Sequence, residues 1–243
     1  MNFQSHPYSF LYGPWRVLFM ALGVVGFTFC ARADQYAAQN GQIPGAPYTS
    51  WETAASNIQD AVNAAASGAT VWVGAGHYTV PPAPTNYGGA TNVVYIDRPL
   101  TLRSSNRVPE TTVIDGEGMN RGITWNYKSN SASNFVIDGF TITHCTSLPT
   151  NEGGGIYFAA ASWTGMVMNC IISNNAAIST DATTLAYGGG MRMASYSTYK
   201  NGLIVSNCII RDNWATNWVG DGAGGGFSIS GGGLIKFIAA SGF

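Results

Sequence analysis

Charge is scarce in this sequence: Asp, Glu, Lys and Arg make up 9% of its 243 residues, against about 25% in an ordinary globular domain. Eleven basic residues face twelve acidic ones, and no basic cluster stands out, which argues against a nucleic-acid partner. Three scattered histidines and the lack of any Cys-x-x-C pair argue against a zinc site. Long apolar runs are missing too. The longest, Val17 to Phe29, is 13 residues, short of the roughly 20 that span a bilayer. Helical periodicity is confined to one short stretch. What the chain has in quantity is glycine, 31 residues, within a 46% apolar composition that suffices for a core and excludes disorder.

These residues are ordered into a repeat. Between residues 134 and 229 a pattern of about 35 residues occurs three times. Its first part reads Val136-Ile-Asp-Gly-Phe-Thr-Ile142, Val167-Met-Asn-Cys-Ile-Ile172 and Val205-Ser-Asn-Cys-Ile-Ile210. Its second part reads Gly153-Gly-Gly-Ile-Tyr-Phe158, Gly188-Gly-Gly-Met-Arg-Met193 and Gly224-Gly-Gly-Phe-Ser-Ile229. Short apolar strands separated by Asn, Asp or Gly predict stacked β-coils rather than a sandwich. One coil cannot bury its apolar face alone, so coils stack about 4.8 Å apart. The same architecture accounts for the composition, because corners favour Gly and Asn while ladders of like charge are disfavoured. Val113-Ile-Asp-Gly116 reads as the coil before Val136-Ile-Asp-Gly139. Later coils carry insertions at Ser173 to Tyr187 and Arg211 to Ala223, and shorter ones at Ala159 to Gly165 and Ala194 to Gly202.

These motifs resemble the right-handed parallel β-helix repeat proteins of the pectate-lyase-like superfamily, in the bacterial secreted and surface versions with Gly-Gly-Gly-Ile and Asn-Cys-x-Ile repeats. The resemblance covers roughly residues 35 to 235 and implies an all-β fold. The expected fold is a right-handed parallel β-helix, a single-stranded solenoid, with an N-terminal capping α-helix. The resemblance leaves activity open, because that fold carries lyases, hydrolases, adhesins and inert stalks alike. The stretch Ser50 to Val62, followed by Gly68 to Tyr78, is similar to the opening of many such proteins. Ile58, Ala61, Val62 and Ala65 share one helical face, which predicts a helix over Ser50 to Gly68 laid across the open edge of the first coil.

Residues 1–33 read as a signal peptide. Arg16 precedes the apolar run, and Ala31-Arg32-Ala33 supplies a small-x-small cleavage site, so the mature chain is expected to be secreted or held at the cell surface without a stable membrane span. Cleavage after Ala33 leaves nine basic and twelve acidic residues, a net charge of −3. Residues 34–69 form a lead-in and the capping helix, and 70–243 the β-helix. At Leu234 to Phe243 another coil begins without a capping element after it, which reads as a truncated product.

Catalytic signatures are wanting. The chain has no Asn-Thr-Asp, Asp-Asp, Gly-His-Gly or Arg-Ile-Lys motif. Gly220-Asp-Gly-Ala-Gly-Gly225 has dinucleotide-fingerprint spacing but leads into a strand, where a helix N-terminus is needed. His77 and His144 read as isolated turn or packing residues. Cys170 and Cys208 share a register and read as a small apolar ladder, with a disulfide the alternative. Asp115 and Asp138, in one column with Asn169 and Asn207, are the weak candidates for Ca²⁺ or an acid pair. Asp and Asn also settle at bends for local backbone reasons, so no metal or other cofactor is expected.

The remaining candidates are on the surface. Alternation in the Gly-triplet strands puts Ile156, Met191 and Phe227 inward, together with Phe158, Met193 and Ile229. It leaves Tyr157, Arg192 and Ser228 outward in one column, flanked by loops carrying Trp163, Tyr187, Tyr196, Tyr199, Trp214 and Trp218. Such a face suits stacking on sugar rings and pairing with uronates, though the aromatics could equally pack under their own loops. The expected function is non-catalytic binding or adhesion to polysaccharide or a cell-surface glycan. A polysaccharide lyase or glycoside hydrolase is the alternative, and an inert stalk the third reading.

Overall fold

The computed structural model describes residue 1 and residues 32–127, 133–159, 163–181, 183–194, 202–217, 222–230 and 234–238. Three parallel sheets run the length of residues 32–238. The first stacks Gln35–Ala37, Thr70–Val73, Thr101–Ser104, Ser133–Asp138, Trp163–Met168, Gly202–Ser206 and Leu234–Ile238 in chain order. The second stacks Gly76–Tyr78, Thr112–Asp115, Thr141–Thr143, Ile171–Ser173 and Ile209–Arg211. The third stacks Ala90–Ile96, Arg121–Trp125, Ile156–Ala159, Met191–Ala194 and Phe227–Ser230, with Asn86–Tyr87 folded back antiparallel on its first strand. Each coil visits the three sheets in turn and feeds the next coil in parallel. The result is a parallel β-helix of about five turns, right-handed as parallel crossovers almost always are. Among the described residues no helix is long and apolar enough to cross a membrane.

Columns of apolar side chains fill the interior. Leu102, Ile137, Val167 and Val205 stack from the first sheet, Ile114, Ile142, Ile172 and Ile210 from the second, and Ile123, Ile156, Met191 and Phe227 from the third. Phe135 closes an aromatic stack, its ring 4.6 Å from Trp125 and 5.0 Å from Phe158. That ring lies over Gly165 in the next coil, where a Cβ would come within 2.0 Å of it. The glycine triplets have a backbone cause as well. Gly153, Gly188 and Gly224 open them with φ of +61°, +64° and +67°, the left-handed region open to glycine. The second glycine passes so close to the neighbouring backbone that a Cβ at Gly189 would sit 2.0 Å from the Trp214 carbonyl oxygen.

The coil boundaries differ from the sequence expectation. Val113-Ile-Asp lies on the second sheet, paired with Thr141, Ile142 and Thr143, whereas Val136-Ile-Asp lies on the first, paired with Met166, Val167 and Met168. The two Val-Ile-Asp-Gly motifs are therefore corners of different faces, not one corner repeated. The long insertions are not free loops either. Ala176–Ile178 pairs with Trp214–Thr216, and Ala186–Tyr187 with Gly222–Ala223, so they extend the stacking outward as two short ladders.

The N-terminal cap is assembled differently from the expected single helix. The helix covers only Ile58–Ala64, started by the Asn57 side chain, whose Oδ1 accepts from Asp60 N at 2.8 Å. The lead-in contributes the strand Gln35–Ala37, which covers the edge of the first sheet. On the other two sheets glutamine side chains cover part of the edge, on the third beyond the reach of the Asn86–Tyr87 hairpin strand. The Gln59 side chain accepts from Tyr95 N at 2.6 Å and donates to Tyr95 O at 3.1 Å, in the place a neighbouring strand would occupy. Gln39 does the same for His77, accepting from its N–H at 2.9 Å and donating to its carbonyl. A primary amide has the donor and acceptor pair of a peptide unit, so each glutamine ends a ladder that would otherwise template another chain.

We expect Gln59→Ala to leave the Tyr95 N–H and C=O unpaired beneath the cap, at a cost of about 2 kcal/mol. Urea denaturation should show a lower midpoint with an unchanged slope, and light scattering a greater tendency to associate. An unchanged midpoint would show that the amide contributes nothing as a cap.

Candidate functional site

Residues on the outward face of the third sheet stack in the order Tyr95, Thr124, Tyr157, Arg192, Ser228, one from each coil. The expected column of Tyr157, Arg192 and Ser228 is therefore present. Inward alternation also holds: Ile156, Phe158, Met191 and Met193 are fully buried. Ile229 is the departure. It is 38% exposed because it belongs to the last described coil, with no further described strand of the third sheet above it.

The segment 147–153 lies against this face, held there by Arg121. Its Nε donates to Gly153 O at 2.9 Å, and its Nη2 to Glu152 O at 2.7 Å and to the Thr150 hydroxyl. The guanidinium plane lies 4.8 Å from the centre of the Tyr157 ring. Burial pushes Arg121 down to about 10, which still leaves it charged at neutral pH. Burial and then the nearby Glu152 charge push the Tyr157 phenol up, so it stays a donor, to Glu152 Oε2 at 2.7 Å. The hairpin strand Asn86–Tyr87 brings Tyr87 alongside, its ring 6.0 Å from those of both Tyr95 and Tyr157. Between them opens a cleft of about 540 Å³ lined by Tyr87, Gly88, Arg121, Pro149, Thr150, Asn151, Glu152 and Tyr157.

Arg192 is not the exposed cation that the sequence suggested. Its residue is 5% exposed. Its Nε and Nη2 reach Glu152 Oε1 at 3.3 and 3.2 Å, Nη1 donates to Ser228 Oγ at 2.9 Å, and Nη2 to Ser230 Oγ at 3.0 Å. Tyr187 covers its face at 4.6 Å. A fork of five donors stacked under Glu152 and Tyr187 is consumed in joining coils, which is why it is withdrawn from solvent. Trp214 heads the ladder strand Trp214–Thr216 and is half exposed rather than packed beneath a loop. Trp163 opens the strand Trp163–Met168 on the first sheet, away from this face. Tyr196, Tyr199 and Trp218, like most of the leader, lie outside the described residues.

Asp115 and Asp138 do not share the column expected of them: Asp115 is level with Thr143 on the second sheet and Asp138 with Met168 on the first. Asp138 is fully buried on the first sheet, where Arg103 Nε lies 2.9 Å and Arg107 Nε 3.3 Å from its Oδ2. Its other oxygen starts an amide ladder, accepting from Asn169 Nδ2 at 2.7 Å, while Asn169 Oδ1 accepts from Asn207 Nδ2 at 2.8 Å. Asn169 and Asn207 themselves turn corners at φ of +52° and +50°. A second ladder was not anticipated: Asn175 Nδ2 donates to Ile142 O at 3.0 Å and Asn213 Nδ2 to Ile172 O at 2.8 Å, closing the corner after the second sheet. Cys145, Cys170 and Cys208 are free thiols, and burial pushes Cys145 and Cys170 up, which keeps them inert.

The two histidines read as isolated in fact converge on one carboxylate. His77 Nε2 lies 2.9 Å, and His144 Nδ1 3.2 Å, from Asp115 Oδ2. They come from three successive strands or corners of the second sheet, and both imidazoles are more than half exposed. The signal was available in the sequence. Aligning Ile114 with Ile142 rather than with Ile137 puts Asp115 beside Thr143, one residue from His144. Burial pushes Asp115 up, but the Glu117 N–H, His144 and His77 together outweigh it and hold the carboxyl below its ordinary value. No family model, no curated protein and no solved structure matches this chain.

Arg192→Ala should destabilise the fold by about 3 kcal/mol, because Glu152 loses its cation in a partly buried setting. Arg192→Lys should be intermediate, since an ammonium keeps the charge but not the fork. Guanidinium denaturation measures both; an Arg192→Ala midpoint equal to wild type would mean that the side chain is free for a ligand after all.

A depressed folded value means that Asp115 stabilises the fold above the ordinary carboxylate value of about 3.9, and stops doing so as the pH falls through its own lower value. Asp115→Asn should therefore cost about 1 kcal/mol at pH 7, with the exposed imidazoles limiting the loss. The gap from wild type should shrink as the pH falls below about 4. Melting across pH 7 to 2 checks this, and a gap that is constant with pH would contradict it.

Proposed function

We propose that this chain is an exported β-helix protein of the pectate-lyase-like kind that binds polysaccharide without cleaving it. The observation that carries this reading is the cleft over the third sheet. There the Tyr87 ring packs 6.0 Å from that of the largely buried Tyr157, beside a polar segment whose position is fixed by Arg121. A concave site with aromatic walls and a few placed polar groups is what holds a small organic ring. Both rings sit on hydrogen-bonded strands, so little ordering is left to be done on binding. The half-exposed Trp214 offers a further stacking surface on the ladder it forms with Ala176–Ile178. Export rests on the leader pattern of residues 1–33.

Binding is favoured over hydrolysis by the carboxylate count. Glu152 is the one acid among the residues lining the cleft, and its oxygens already accept from Tyr157 and Arg192. Glycosidases need two carboxyl groups, about 5 to 9.5 Å apart across the bond they break. An inert stalk, in turn, has no use for an aromatic cleft.

Tyr87→Ala should weaken glycan binding about tenfold, the scale of one lost ring contact, while Tyr87→Phe, which keeps the ring, should bind like wild type. Affinity electrophoresis with soluble glycans measures both. Release of reducing or unsaturated ends by wild-type protein would move the assignment to an enzyme, and retardation by no glycan would leave the stalk.

A further inference from the structure

We infer that a second cleft, at the N-terminal end of the solenoid, is a saccharide subsite in which Trp51 is the stacking platform and Asn40 and Ser105 supply the polar contacts. The inference rests on reading this chain as a glycan binder, but on none of the residues of the Tyr87 cleft.

The corner that follows the first sheet is made in three successive layers by Ala38, Gly74 and Ser105, each directly after one of the paired residues Ala37, Val73 and Ser104. Gly74 has no side chain, and the edge of the Trp51 ring lies against it: a Cβ there would stand 3.5 Å from Cζ3. Tyr36 meets the same ring edge-on, with the ring centres 4.8 Å apart, which fixes its plane. Trp51 nevertheless stays 40% exposed, whereas Trp125, which fills the core, is fully buried. Beside the ring opens a cleft of about 410 Å³, lined also by Gln39, Asn40, Gly74 and Ser105, within the roughly 300–1,000 Å³ of small-molecule sites. Gln39 has both ends of its amide committed to the His77 backbone. The Asn40 amide and the Ser105 hydroxyl, both on exposed residues, are left to meet a ligand.

Among the described residues none that lines this cleft is charged. A site without a cation has no strong contact to offer a phosphate or carboxylate, and one without a carboxylate has none for an amine. An amide and a hydroxyl each donate and accept, as sugar hydroxyls do, and an indole face is a flat apolar surface. The chemistry that fits is a sugar ring, apolar on its C–H face and hydroxylated at its rim.

Affinity electrophoresis of the full chain in β-glucan and galactomannan gels tests this. Trp51→Ala should weaken binding about tenfold, and Asn40→Ala about fivefold, the scale of one hydrogen bond. Because Asn40 is exposed, its variant should melt like wild type, which separates a lost contact from a loosened cap. With no charge in the lining, the share of affinity lost in Trp51→Ala should be the same at about 0.01 M and about 0.1 M salt. Combined with Tyr87→Ala, Trp51→Ala should lower affinity further than either change alone. If Asn40→Ala is retarded like wild type and Trp51→Ala loses binding only together with a lowered melting point, Trp51 is a packing residue and the inference is overturned. A Trp51 effect that fades with salt would overturn it too. In both cases a weakened Tyr87→Ala leaves the other cleft standing. The converse, Tyr87→Ala binding like wild type while Trp51→Ala and Asn40→Ala do not, would uphold the inference and remove the reading of the Tyr87 cleft. Retardation of the wild type by neither glycan would overturn both.

Discussion

Each coil of this protein hydrogen-bonds its backbone to the coils on either side, so every residue must be compatible with those stacked above and below it. Inside, this constraint selects columns of similar apolar side chains, of which Ile114, Ile142, Ile172 and Ile210 are the clearest. At the corners it selects backbone geometry, with Asn169 and Asn207 turning the first corner and His144, Asn174 and Asp212 the second, all with positive φ. Outside, it penalises like charges at the strand spacing of about 4.8 Å. The low charge content is thus a consequence of stacking and not an independent property. The same constraint creates an edge problem at the ends, which the Gln59 and Gln39 side chains solve at the N-terminal end by standing in for a missing strand.

The few charges that survive this selection are placed between coils. Arg103 and Arg107 meet Asp138 across the first sheet, Arg192 meets Glu152 outside the third, and Asp115 joins His77 to His144 on the second. Arg121 ties down a segment by accepting no partner charge at all, only carbonyl and hydroxyl oxygens and a tyrosine face. Using cations as internal fasteners withdraws Arg121 and Arg192 from solvent, so the exposed surface is not the one suggested by counting arginines along the sequence.

Much of this was legible without coordinates. The inward and outward alternation of the Gly-triplet strands placed Ile156, Met191 and Tyr157 correctly, because the pleat makes the side-chain period two and the triplets mark where each strand begins. Two features of the repeat itself read differently. The Val-Ile-Asp-Gly motifs looked like one column, yet identical tetrapeptides serve different corners because each corner makes the same local demand of an apolar pair followed by a tight turn. The insertions looked like loops, yet their polar, Ala-rich stretches pair in parallel once the coils beneath them set their spacing.

The sequence by itself determined the architecture: the repeat, the glycine triplets and the Asn corners are short-range demands of stacked coils, and each is written in adjacent residues. It also determined which residues face outward from each strand, since that follows from counting by two. Only the tertiary structure decided which of them are available. Whether Arg192 is a binding cation or a fastener depends on Glu152, 40 residues away, and whether His77 is isolated depends on Asp115, 38 residues away. The length of each coil sets those meetings, and coil length is a sum over every corner and insertion, which no local pattern contains.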